Sequence, residues 1–288
     1  MFQRTYGDAW TLPNLPYRKA HIRYAVARLV DGLTHPGRGR ADWVPADNVF
    51  FVVGHGRSGT QFLADLLDRA ANATVAHEPC VADIYAAQRG RVEPAFADAY
   101  VRDYRRHRIQ AWAAAARPRR YGEVNSRLRH FIEPLRRSFP EAPILRLVRD
   151  GRDVVRSMLA RDRWMIDVLV ARASQLHIDD PFVEELAEMD DFARACWYWR
   201  YDTLRLAAKI PTFVRFEEFV RDPDYVMANI VVPLGLDLEP AVVQREIKAP
   251  KNSTQQHVVG GWNDWATTQR ATFWRLCGDV MEQHGYAA

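Results

Sequence analysis

Val49-Phe-Phe-Val-Val-Gly-His-Gly-Arg-Ser-Gly-Thr-Gln-Phe62 reads as an apolar strand that runs into a glycine-rich turn and out into a helix. Val49 to Val53 have strand length and end at Gly54, and from Thr60 onward Phe62, Leu63, Leu66 and Leu67 share one helical face. The turn therefore points at a helix N-terminus. Backbone N–H groups of Gly56 to Thr60 converge there with the positive end of the helix dipole, which makes a concave site for phosphate or sulfate. Arg57, Ser58 and Thr60 add a cation and two hydroxyls, groups that a bound dianion would use. Gly54 and Gly59 keep the four-residue gap of a Walker loop, but Thr60 stands where the Walker lysine should follow. A conventional ATP or GTP site is disfavoured by that substitution.

A second stretch, Pro143-Ile-Leu-Arg-Leu-Val-Arg-Asp-Gly-Arg-Asp-Val-Val-Arg-Ser157, repeats the strand-to-helix pattern. Pro143 to Val148 form a short apolar strand, and Asp150-Gly151 breaks it before a helix beginning near Arg152. Arg149 ends the strand and Ser157 falls on the second turn of the helix. The two can close on one phosphate from two sides.

Together, Gly54-His-Gly-Arg-Ser-Gly-Thr60 and Arg149 with Ser157 resemble the two nucleotide signatures of sulfotransferases that use 3′-phosphoadenosine 5′-phosphosulfate (PAPS). Tyr121-Gly-Glu-Val-Asn-Ser126, Phe139-Pro140, Arg215-Phe-Glu-Glu-Phe-Val-Arg-Asp-Pro223 and Pro233-Leu-Gly-Leu236 look like the same family in the same order, so the likeness spans roughly residues 48 to 286. It implies an α/β, P-loop-like three-layer fold with a central, mainly parallel sheet flanked by helices. It also implies that His55, Gly56, Arg57, Ser58, Gly59, Thr60 and Gln61 hold the 5′-phosphosulfate, and that Arg149 and Ser157 hold the 3′-phosphate. A late loop that folds over the nucleotide would bring Lys251, Asn252 and Ser253 to it. Arg57 occupies a position filled by lysine in the cytosolic aryl and steroid branch, so the resemblance is closer to the carbohydrate, tyrosylprotein and bacterial branches. The implied donor is PAPS, with no metal.

Sulfuryl transfer to a hydroxyl should share with phosphoryl transfer an in-line displacement, catalysed by positioning and by charge at the leaving oxygen. Arg57 is the cation for that oxygen, and a proton acceptor is needed on the opposite side. Thr74-Val-Ala-His-Glu-Pro79 reads as a strand ending in two candidate bases, His77 and Glu78. Some branches of the family use histidine and others glutamate. The Glu-Pro pair resembles the glutamate branches, which implies Glu78 as base and His77 as its orienting or acceptor-lining neighbour.

The chain has 288 residues, 48% of them hydrophobic, enough for one large α/β core. The net charge of +4 is modest, yet lysine occurs only at 19, 209, 248 and 251, so nearly all of the 40 cations are arginine, the side chain that binds oxyanions bidentately. Cys80, Cys196 and Cys277 form no CxxC pair and are odd in number, which argues against a disulfide framework. No apolar run is long enough to span a bilayer and no signal-peptide pattern opens the chain, so a cytoplasmic location is expected. Residues 1 to 47 read as an extension carrying an amphipathic helix from about Tyr17 to Leu33, expected to pack on the core, with peripheral membrane contact as its other reading. The resemblance implies that residues 48 to 288 form a single sulfotransferase domain.

Asp98 to Arg120 reads as an arginine-rich helix, either a solvated face or a platform for an acidic acceptor. No zinc, helix-turn-helix or RNP pattern accompanies its charge, so nucleic acid is not expected as a partner. Phe182 to Lys209 reads as one helix or two, with Trp197, Tyr198, Trp199 and Tyr201 in the core. Thr212 to Phe216 is then a strand, Pro223 to Leu234 a helix, Pro250 to Trp265 a mobile loop, and Gln269 to His284 the closing helix. The acceptor is a small molecule, a glycan or a peptide. Two other classes also fit strand, loop and helix. A P-loop kinase would need the missing lysine and a magnesium-binding carboxylate, and a noncatalytic nucleotide-binding module would have no use for Glu78.

Overall fold

The computed structural model describes Val26 and residues 48–161, 180–249 and 260–287. Five parallel strands form its sheet: β1 (Val49–Gly54), β2 (Ala73–His77), β3 (Arg120–Val124), β4 (Ile144–Val148) and β5 (Phe213–Arg215). Their order is β2-β3-β1-β4-β5, with β1 in the centre. Helix α1 (Thr60–Leu67) follows β1, and α2 (Ala82–Gly90) follows β2. Next come α3 (Pro94–Tyr100), a π-helical turn (Val101–Arg105) and α4 (Arg106–Ala116). Helix α5 (Ile132–Ser138) precedes β4, α6 (Gly151–Arg161) follows it, and α7 (Asp191–Lys209) leads to β5. The chain then runs through α8 (Phe216–Phe219), α9 (Pro223–Val226), α10 (Pro240–Lys248) and α11 (Thr267–Gln283).

The alternation of strand side chains explains the three layers. Phe50 and Val52 pack with Leu63, Leu66 and Leu67 of α1 on one face of β1, whereas Val49, Phe51 and Val53 pack with Ile109, Leu128 and Leu135 on the other. A strand buried on both faces reads as a continuous apolar run, as β1 does. Crossover connections leave every strand parallel, so the carboxyl ends of β1, β2 and β4 open on the same edge.

The structure adjusts three sequence expectations. Asp98 to Arg120 is not one helix: its last residue begins β3, which lies between β2 and β1. Phe182 to Lys209 divides into a short 3₁₀ turn (Glu184–Ala187) and α7, the latter capped by Asp190 accepting the Ala193 N–H at 2.7 Å. The segment expected as a mobile loop ends in core: Trp265 is buried against Phe192 and Phe273, with Trp262 packed beside it. Four neighbouring aromatic rings bury enough apolar area to fix that stretch. Trp197, Tyr198, Trp199 and Tyr201 are all buried, as expected.

The arginines after Asp98 are largely engaged within the molecule. Arg105 is buried between Asp83 and Glu123, Arg119 donates to the Ala70 carbonyl at 2.9 Å, and Arg102 pairs with Asp103. The three cysteines are buried. Among the described residues no helix is long and apolar enough to cross a membrane. The expected N-terminal helix lies outside the described residues except for Val26, which is helical and exposed.

Candidate active site

Two glycines shape the turn after β1. A Cβ at Gly54 would lie 2.5 Å from the Leu147 carbonyl oxygen on β4. Gly59 has φ 85°, and a Cβ there would run into the Phe216 ring. Gly59 also caps α1 without any side-chain cap bond, which leaves the first-turn amides of that helix for a ligand.

Arg57 (φ 75°) and Glu78 (φ 43°) are the non-glycine residues with left-handed backbone among the described residues. Such conformations cost on the order of 1–3 kcal/mol each and persist where the surroundings over-determine them. The surroundings are specific in both cases. Arg57 Nε donates to Ser157 Oγ at 2.9 Å, and Arg149 Nη1 donates to the Arg57 carbonyl at 3.0 Å. Arg149 also reaches Asp153 at 3.0 Å and lies over the Phe216 ring at 4.5 Å. The loop and the end of β4, remote in sequence, thus form one cluster of Arg57, Arg149 and Ser157.

The remaining loop side chains take different directions. Ser58 Oγ is buried without a hydrogen-bond partner among the described residues, in a hollow that Arg149, His55, Trp199 and Asp202 also line. The His55 ring sits beneath the loop: its Nδ1 donates to the Gly56 carbonyl at 2.7 Å and its edge meets Tyr198. Burial, then the Arg129 charge, pulls its pKa down to about 3, so the ring is neutral. Gln61 is exposed and donates to Asp65 at 2.8 Å. Lys251, Asn252 and Ser253 lie outside the described residues.

The end of β2 comes up against the same loop. Thr60 Oγ1 and His77 Nε2 are 3.0 Å apart, joining the start of α1 to the last residue of β2. A Cβ at Gly56 would lie 3.8 Å from Ser126 Oγ, and that hydroxyl donates to Glu78 Oε1. The Ser126 N–H also donates to Glu78 Oε1 at 3.3 Å, and Arg127 Nε is 3.9 Å from Oε2. Burial acts to raise the Glu78 pKa, but Arg127, the Ser126 hydroxyl, His77 and the Ser126 amide together hold it below the usual carboxylate value. His77 is also lowered, by burial above all, with Arg127 adding to the shift against Glu78 and Asp65. At neutral pH the pair is a carboxylate beside a neutral imidazole.

Sequence reasoning missed the residues that support Glu78. Arg129 donates to the Ser126 carbonyl and to Asp202 Oδ2, the latter at 2.9 Å from Nε. Asn125 donates to Asp83 at 3.0 Å and Glu123 at 3.2 Å and accepts the Arg127 N–H at 2.9 Å, which fixes the turn carrying Ser126. Asn125 and Ser126 belong to a stretch whose family likeness was visible, but Arg129 and Asp202 carry no local pattern.

A model described as "Sulfotransferase family" matches residues 50–240. Among solved structures, sulfotransferase STF9 from Mycobacterium avium superposes with a TM-score of 0.50 at 14% identity, covering 94% of this chain and 85% of that one. A sulfotransferase from Alicyclobacillus acidocaldarius gives 0.41 at 16% identity, covering 85% and 98%. A mouse sulfotransferase, SULT7A1, complexed with PAP gives 0.42 at 14%, covering 84% and 86%. No curated protein matches the sequence.

Proposed function

The chain belongs to the sulfotransferase family, and on that premise we propose that it moves a sulfuryl group from PAPS to a hydroxyl or amine of a small-molecule, glycan or peptide acceptor. The observation that carries this reading is the strained pair: Arg57 and Glu78, assigned to the leaving oxygen and to the proton, both have left-handed backbone, the start of α1 meets the end of β2 at Thr60–His77, and Ser126, which holds Glu78, lies against Gly56 of the turn.

The residues fit the donor. The uncapped start of α1, the unpartnered Ser58 hydroxyl and the Arg57 guanidinium suit a phosphosulfate, and Arg149 with Ser157 supplies a cation and a hydroxyl for a further phosphate. When bound, PAPS supplies an activated sulfuryl group and a leaving phosphate. Arg57 neutralises charge developing at that phosphate. Glu78, ionised and held by Ser126, takes the acceptor's proton, while neutral His77 is tied to Thr60 and lines the acceptor side. The His55 ring braces the loop from below, and Lys251, Asn252 and Ser253 are assigned to the donor on the family resemblance alone. Arg57 in place of lysine aligns the enzyme with the carbohydrate, tyrosylprotein and bacterial branches.

Incubation with PAPS labelled on sulfur and a panel of hydroxylated metabolites, glycans and peptides tests the reaction. Labelled acceptor formed without ATP is the expected result. Phosphate transfer from ATP in the same panel, with none from PAPS, would overturn it.

A further inference from the structure

Beside the support of Glu78 lies a hollow whose charges do not balance. Its walls are Arg91, just after α2; Arg129 and His130, on the turn after β3; and Asp202, Arg205 and Lys209 on α7. The Arg91 and Arg129 side chains are 5% and 2% exposed, and both lean on the same Asp202 carboxylate, at 3.4 and 2.8 Å. One carboxylate offsets only one of these two guanidiniums. His130 adds no counter-charge: burial, then Arg129 and Arg91, keeps its pKa well below the ordinary imidazole value, and the ring meets Arg91 Nη2 at 3.1 Å. Arg91 Nε is itself buried with no hydrogen-bond partner among the described residues.

The rim adds two more cations. Lys209 has its pKa lowered by burial and then by Arg205, with Glu133 acting the other way. The carboxylates nearby are shared with other cations: Glu133 acts on Lys209 but lies 4.0 Å from Arg136, Asp98 pairs with Arg137, and Glu78 acts on Arg129 but is held by Ser126 and Arg127. A buried guanidinium left without an anion is strongly unfavourable.

We propose that this hollow is an anion-binding site, separate from the turn after β1, that takes a small oxyanion of the sulfate or phosphate class. The Arg91 guanidinium at its base, with Arg205 and Lys209 at its mouth, provides the donors that such an anion needs, while Arg129, its nitrogens given to Asp202, the Ser126 carbonyl and the Tyr198 hydroxyl, adds positive charge. Arg129 also donates to the Ser126 carbonyl, so the site shares Arg129 and Asp202 with the support of Glu78. The proposal stands apart from the sulfuryl-transfer reading, since none of its cations, Arg91, Arg129, Arg205 and Lys209, is assigned to the donor.

The test is a titration with inorganic sulfate at constant ionic strength, balanced by chloride, following the thermal midpoint. A background with both Arg57→Ala and Arg149→Ala removes the cations of the turn after β1 and of the end of β4, and Arg205→Gln with Lys209→Gln is compared in it with the unaltered rim. These rim changes spare the buried Arg91 and Arg129, and the single Lys209→Gln repeats the comparison with less disturbance. A saturable rise in midpoint that is mostly lost in both rim variants is expected. An equal rise with and without the rim cations, saturable or linear, overturns the proposal.

Discussion

At Glu78 two effects of opposite sign meet. Burial favours the protonated acid, whereas Arg127, Ser126 and His77 favour the carboxylate and prevail, so this side chain is charged at neutral pH at the expense of proton affinity. If Glu78 takes the proton, Glu78→Gln should lower turnover by roughly 10²–10⁴ and leave affinity for adenosine 3′,5′-bisphosphate (PAP) near that of the wild type. His77→Ala should act mainly on KM for the acceptor. A nearly active Glu78→Gln beside an inactive His77→Ala would exchange their roles. Ser126→Ala removes a bond that stabilises the charged carboxylate, so the acid limb of kcat/KM should move to higher pH, as a pH–rate profile would show; an unmoved limb would detach Ser126 from the base. Arg57 and Glu78 were legible because each sits beside a local mark, a glycine turn and a Glu-Pro step. Asp202 was not, because a buried aspartate on a helix gains its partners only when α7 packs against the turn after β3.

The turn between β1 and α1 depends on backbone that a side chain would spoil. Gly59→Ala would combine a left-handed alanine with a collision against Phe216 and should cost about 2–4 kcal/mol. Urea unfolding measures that loss, and nucleotide binding should weaken with it; unchanged stability would show that the turn is not held as described. Elements with one-sided or continuous apolar patterns, such as β1 and α1, could be read from the sequence. Strand β3 could not, because Arg120, Gly122 and Glu123 give it no apolar alternation. What buries Glu123 is Arg105, with Nη2 at 2.5 Å, and Arg105 in turn rests on Asp83 at 2.9 Å. An ion network drawn from three elements has no signature at the level of one. Trp262 and Trp265 misled for the opposite reason: glycines and polar residues around them suggested a loop, and only tertiary contact with Phe273 shows them to be core.

Across the whole molecule, histidines buried in the neutral form set the response to acid. His55 has its pKa near 3 when folded, against an ordinary 6.5, so the unfolded chain gains the proton first as pH falls. Stability should fall from pH 6.5 towards 3 by up to about 1.4 kcal/mol per pH unit for each such group. His130, His77 and His284 are shifted in the same direction, whereas Glu123, raised by burial, opposes them. Denaturant midpoints between pH 5 and 7 should decline with acid, with a shallower slope in His55→Gln; equal slopes would show that this ring protonates freely in the fold. The larger claim is that folding joins two segments remote in sequence, Arg57 on the turn after β1 and Arg149 with Ser157 from β4 and α6, into a site for a nucleotide with a 3′-phosphate. Calorimetric titration with PAP and with AMP tests it most directly. Charge-assisted contacts to the extra phosphate should favour PAP by about 2–4 kcal/mol, roughly 30- to 900-fold, and Arg149→Ala should erase most of that preference. Equal affinity for PAP and AMP in the unaltered chain would contradict the account.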